Sequence, residues 1–134
     1  MEKIKIYVGC SLTHASEEFK EGIENLKNEL RKKYIVFDFL GLEKGTARDA
    51  FEYDIECVRK CDLFIAECSY PSTGLGYEIG FAVSLDKQVL AVAQNDAKVT
   101  RLILGVRNSK FAFRRYVKIS EVVDMVKEKL EIYE

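Results

Sequence analysis

The sequence predicts an α/β fold: a doubly wound, five-stranded parallel sheet with helices on both faces. Three observations carry this expectation. Strand-like and helix-like patterns alternate along the chain without a break and with short connections, the signature of parallel strands joined by helical crossovers. The third and fourth strand-like segments are near-continuous apolar runs, as strands covered on both faces must be. The 134 residues, 48% hydrophobic and 32% charged, fit one ordinary globular domain over 1–134, without repeats, linkers or low-complexity stretches.

Taken in order, residues 3–8 (KIKIYV) alternate and then turn apolar, which reads as a strand. Residues 15–33 place Phe19, Ile23, Leu26 and Leu30 on one face of an amphipathic helix. Residues 34–40 (YIVFDFL) form a second strand, followed by a loop over 41–45. Residues 47–60 form a helix with Phe51, Ile55 and Val58 expected inward, and 62–68 (DLFIAEC) a buried strand. A turn-rich loop with the only Pro, Pro71, leads to an apolar helix over 75–85. Residues 88–93 (QVLAVA) are a fourth strand, 97–104 a short helix ended by Gly105, and 111–119 a fifth strand. Ser120 then caps a last helix running to about residue 133.

Composition narrows the chemistry. The 21 basic and 22 acidic residues leave a net charge of −1, which gives no bulk attraction for a nucleic acid polymer or an anionic membrane. No apolar run approaches the roughly 18 residues of a membrane span, and the strand pattern begins at once, so a cytoplasmic protein without a secretory signal is expected. The only histidine, His14, excludes a multi-histidine metal site. Cys10, Cys57, Cys61 and Cys68 lack CxxC spacing and read as small buried thiols in a reducing compartment. Neither a metal nor a cofactor is expected, so the chemistry falls to carboxylates, hydroxyls or thiols.

In open α/β sheets, ligands bind beyond the carboxyl ends of the strands. That rule selects the loops at 9–14, 68–76 and 94–100. The second carries the run Ser72-Thr73-Gly74-Leu75-Gly76-Tyr77-Glu78, passing from loop into helix. Ser72 or Thr73 can cap the helix, Gly74 and Gly76 let a ligand approach the backbone, and free N–H groups form an anion site. Glu78 then sits early in the helix, where the positive end favours its ionised, nucleophilic form. An early Glu also serves as a plain dipole partner, and spacing alone leaves both roles open. Asp54, beside Phe51, Ile55 and Val58, is the second carboxylate: either a solvated residue or a general acid/base that reaches the pocket. Glu67, ending the third strand, points toward the same edge as a supporting group. One carboxylate attacking a sugar carbon while another moves protons is the logic of retaining glycosyl transfer, which needs neither histidine nor metal.

The string YDIECVRKCDLFIAECSYPSTGLGYEIGFAVSLDKQVL resembles the nucleoside 2-deoxyribosyltransferase superfamily, which includes the 2′-deoxynucleoside 5′-phosphate N-hydrolases. The likeness covers nearly the whole chain, with Pro-Ser-x-Gly-x-Gly-Tyr-Glu-x-Gly at 71–80 and Asp54 eight residues before Asp62 as its specific parts. It implies a flavodoxin-like sheet and cleavage of the N-glycosidic bond of deoxyribonucleosides or their 5′-monophosphates. Glu78 would attack C1′ and form a covalent deoxyribosyl-enzyme, and Asp54 would assist proton transfer to the base. The first loop, with Gly9, Cys10, Ser11, Thr13 and His14, would line the sugar and phosphate side, and Phe39 would contact the substrate.

The resemblance also separates the branches. Transferases tend to carry an acidic residue where this chain has Ser72, whereas the monophosphate hydrolases carry Ser as part of a phosphate site. A hydroxyl suits a phosphate and a carboxylate repels it. Thr100, five residues before Gly105, stands where the hydrolases place a serine that reaches the phosphate from a neighbouring subunit, with Arg101 as a cationic partner. A short-helix N-cap is the plain alternative for Thr100, and an exposed helix-start residue that for His14. The first loop, Gly-Cys-Ser-Leu-Thr-His, lacks the arginine of the hydrolases' Gly-Ser-Ile-Arg type.

The expectation is therefore a hydrolase of 2′-deoxynucleoside 5′-monophosphates, working as a homodimer whose sites the neighbouring subunit completes. A base-exchanging deoxyribosyltransferase and a non-catalytic nucleotide-binding module are the alternatives. A phosphoacceptor receiver is disfavoured, because the third strand ends Ala66-Glu67-Cys68 without the required Asp.

Overall fold

A computed structural model describes residues 3–38 and 45–131. The elements are β1 (Lys5–Cys10), α1 (Glu17–Arg31), β2 (Ile35–Phe37), α2 (Ala47–Lys60), β3 (Leu63–Glu67), α3 (Thr73–Ser84), β4 (Gln88–Gln94), α4 (Arg101–Leu104), β5 (Phe111–Tyr116) and α5 (Glu121–Glu131). The strands pair in the order β2-β1-β3-β4-β5, all parallel, as the alternation predicts. Every residue of β3 is buried, because helices cover both faces of the sheet's centre.

Alternate residues of each strand supply two separate cores. Tyr7, Phe64, Ala66, Val89 and Ala91 pack under α2, α3 and α4. Ile6, Val8, Leu63, Ile65, Leu90 and Val92 pack under α1 and α5. The sheet grows one way from β1 to β2 and the other way to β3, so the strand order reverses at β1/β3. The carboxyl ends of that pair, Cys10 and Glu67, adjoin the crevice where such folds bind ligands.

Capping explains the boundaries. The Ser16 hydroxyl accepts from Phe19 N, so α1 starts two residues later than its apolar stripe suggests. Thr46 and Asp49 form a reciprocal capping box at the start of α2. The Ser72 hydroxyl accepts from Leu75 N, so α3 begins at Thr73, earlier than expected. The short helix expected over 97–104 contracts to α4, because residues 97–100 are not helical and Thr100 forms its cap. The second strand is Ile35–Phe37, and Phe39, expected to contact the substrate, lies outside the described residues.

One core expectation is overturned. Ile55 and Val58 are buried as predicted, but Phe51 on the same stripe remains 50% exposed. It lies in the first turns of α2 and turns its ring toward Tyr77 of α3 rather than into the core.

Candidate active site

Three elements assemble the carboxylate centre. Tyr7 on β1 is almost wholly buried, stacked on Phe64 with ring centroids 5.4 Å apart. Its hydroxyl donates to Glu78 Oε2 at 2.7 Å, fixing that carboxyl between α3 and the sheet. Asp54 reaches the same space from α2. A cavity of about 230 Å³ between the helices is lined by Ala50, Phe51, Asp54, Gly74, Tyr77 and Glu78. Asp54 and Glu78, named from the sequence, therefore share one cavity wall.

Their environment differs from expectation in one respect. Burial pushes the Glu78 carboxyl up to about 7; the Tyr7 hydrogen bond opposes this, and the negative charge of Asp54 adds to it. A place early in the helix predicts the ionised form. Glu78 is the sixth residue of α3, beyond the turn in which the helix dipole acts strongly, so desolvation wins. Burial, reinforced by Glu78, pushes the Tyr7 phenol upward, which keeps it a protonated donor. The arrangement can hold a carboxyl poised near neutral pH with one oxygen anchored and the other available.

The other predicted residues divide into groups. Gly9 and Cys10 end β1, and a Cβ at Gly9 would lie 2.8 Å from the Phe64 ring, so this glycine is required by packing. Ser11 is buried and donates its hydroxyl to Pro71 O at 3.2 Å, tying the first loop to the loop before α3. Thr13 and His14 are exposed. At Gly76 a Cβ would meet nothing within 4 Å, and at Gly74 only the Ser72 hydroxyl at 3.9 Å, so the start of α3 is open to a ligand.

Ser72 and Thr100 are brought together on a second cavity, of about 290 Å³, bounded by α3 and the approach to α4. Arg101 is exposed and does not line it; the cation that does is Lys98. Glu67 is also placed differently from expectation. It is 1% exposed and turns away from the cavities, accepting from Ser69 N at 2.6 Å, from Ser69 Oγ at 2.8 Å and from Tyr116 OH. Gln94 N donates to Ser69 Oγ at 2.7 Å, so this buried carboxyl clamps the loop before α3 to β4 and β5. Burial raises the thiols of Cys10, Cys61 and Cys68 to about 12 and that of Cys57 to about 11, so they pack as neutral groups.

The sequence model described as nucleoside 2-deoxyribosyltransferase matches residues 6–130. The chain belongs to this family. A Thermofilum pendens protein provisionally named 2′-deoxynucleoside 5′-phosphate N-hydrolase 1 is 35% identical over 95 residues, 69% of this chain and 66% of that protein. The mouse 5-hydroxymethyl-dUMP N-hydrolase is 33% identical over 96 residues, 68% of this chain and 55% of its own length. The matched stretch thus spans less than two thirds of either relative. Among solved structures, a Clostridium botulinum CMP N-glycosidase superposes with a TM-score of 0.67 at 23% identity, covering 92% of this chain and 98% of that one. A 2-deoxyribosyltransferase from Leishmania mexicana superposes with a TM-score of 0.59 at 18% identity over 82% of each chain, so the family fold is shared.

Tyr7, Lys98 and the Glu67 clamp are the residues at or behind the candidate site that sequence reasoning did not single out in these positions. Tyr7 follows the alternation of an ordinary strand, and only its pairing with Glu78 distinguishes it.

Proposed function

We propose that this protein is an N-glycosidase that hydrolyses 2′-deoxynucleoside 5′-monophosphates to free base and 2-deoxyribose 5-phosphate. The observation that carries this reading is the Tyr7-anchored Glu78 carboxyl facing the same cavity as Asp54. The pair shares one proton: as it passes from Glu78 to Asp54, Glu78 Oε1, with Oε2 held, attacks C1′; the C1′–N bond breaks, its electron pair passes to the base, and the base takes the proton from Asp54. Asp54, now a carboxylate, removes a proton from water as the water oxygen attacks C1′. The glutamyl ester breaks, Glu78 regains its electron pair, and both carboxyls return to their starting states.

The 5′-phosphate is assigned to Ser72, Thr100 and Lys98. The hydroxyls and the ammonium are donors suited to phosphate, and Lys98 supplies a charge that the first loop lacks. Ser11, Thr13 and His14 border the sugar side. The active form is read as a cytoplasmic homodimer in which a neighbouring subunit completes the site; the four unpaired cysteines suit a reducing compartment. Names of relatives that act on deoxynucleoside 5′-phosphates support the substrate class.

The test is incubation with deoxynucleoside monophosphates and the corresponding nucleosides, with and without a free acceptor base. Release of base and 2-deoxyribose 5-phosphate, favoured by the 5′-phosphate and lost in Glu78→Ala, is expected. Dominant base exchange without a phosphate advantage would identify a transferase, and binding without turnover a nucleotide-binding module.

A further inference from the structure

Resting on the N-glycosidase reading, we propose that Phe51 and Tyr77 form the platform on which the leaving nucleobase stacks. Both rings line the carboxylate cavity, yet Phe51 is 50% and Tyr77 57% exposed. Two large aromatic side chains left in water beside two inward carboxyls forgo the gain of burial, which a planar ligand would restore.

Their placement fits the chemistry. Phe51 lies three residues before Asp54 on α2, so the two project from one face of the helix. Asp54 is the group assigned to the base's proton, and the base departs on the side of C1′ opposite the Glu78 attack. A base within reach of Asp54 therefore lies against Phe51. Tyr77 precedes Glu78 on α3, and no side chain stands at Gly74, one turn earlier, to cover its ring. The rings meet edge to face with centroids 5.9 Å apart and planes at 62°. A base inserted between them would need roughly 7 Å, two contact spacings of about 3.5 Å. The pair thus offers an outer stacking surface rather than a clamp. Stacking recognises the π-face that every base shares, so this surface contributes affinity with little choice among bases.

The test compares a ligand with its base and one without it. Phe51→Ala is expected to raise the KM for deoxynucleoside monophosphates roughly tenfold or more, from the loss of one stacking contact. The inhibition constant of 2-deoxyribose 5-phosphate should stay within about twofold, and Phe51→Trp should restore the parent KM. An unchanged KM, or an inhibition constant that rises in step with it, overturns the platform. So does restoration by Phe51→Leu as complete as by Phe51→Trp. Calorimetric binding of both ligands to Glu78→Gln, with and without Phe51→Ala, reads the same contrast without turnover. Absence of base release by the parent would then sink the hydrolase reading, while the platform stands or falls on the binding contrast.

Discussion

Burial of the Glu78 carboxyl costs stability wherever that group is charged. The carboxyl titrates near 7 in the folded chain, against about 4.5 in the unfolded one, because burial penalises the charge. Between those values the native state holds a proton that the unfolded state has released, so stability present below about pH 4.5 is lost as pH rises through 7. Raising the carboxyl from 4.5 to about 7 corresponds to about 3 kcal/mol. Glu78→Gln keeps an acceptor for Tyr7 without the charge. Urea unfolding should therefore find the variant close to the parent at pH 4.5 and up to about 3 kcal/mol more stable above pH 8. A gap that does not change with pH would place the carboxyl in solvent. The same ionisation governs the reaction: the pair must hold one proton for Asp54 to give the base, so kcat/KM should fall as pH rises through about 7 and that proton is lost.

At the scale of elements, the loop between β3 and α3 decides where Ser72 and Glu78 stand. It is secured by Glu67 and Gln94 through Ser69, and by Ser11 through Pro71 O. Ser69→Ala removes the hydroxyl that Glu67 and Gln94 N share, leaving a buried carboxyl short of one donor and a backbone N–H short of its acceptor. Thermal or denaturant unfolding should show a loss of about 1–3 kcal/mol. Tyr116→Phe removes only the phenolic donor and should cost less. Equal stability of parent and Ser69→Ala would mean that the clamp does not hold the loop. These ties also mark where sequence reasoning stops. The strands, the caps and the Asp54–Glu78 pair follow from patterns local in the chain, in which residue type and spacing carry the physics. Glu67 meets Tyr116 across 49 residues and Tyr7 meets Glu78 across 71, pairings set by strand order rather than by any run of residues. Phe51 departs from its stripe for a related reason. Its stripe marks a helix face correctly, but periodicity does not tell whether that face meets the sheet or an open cavity at a given turn.

The whole molecule presents an asymmetry between its two helical layers. α1 is amphipathic, with Phe19, Ile23, Leu26 and Leu30 buried and, apart from the buried Lys27, its charged residues outward. α3 carries no Asp, Lys or Arg and only the inward Glu78, yet just Leu75, Ile79 and Ala82 are fully buried. A helix apolar on all sides belongs in an interior. Beside it Leu102 is 82% exposed, with Leu85 and Leu104 also in solvent. A second copy of the chain would bury this side, and the nearly neutral charge of −1 opposes no self-association. Light scattering should then give twice the 15.4 kDa chain mass for the parent. Leu102→Glu puts a charge on the apolar surface and should return a monomer. Leu102 stands two residues after Thr100, which is assigned to the phosphate, so the monomer should lose the advantage of 5′-monophosphates over nucleosides while Glu78 remains in place. A fully active monomeric parent would overturn the dimer. A dimer that survives Leu102→Glu would move the interface away from α4 and leave the cavity that Ser72 and Thr100 line within one chain as a phosphate site needing no neighbour.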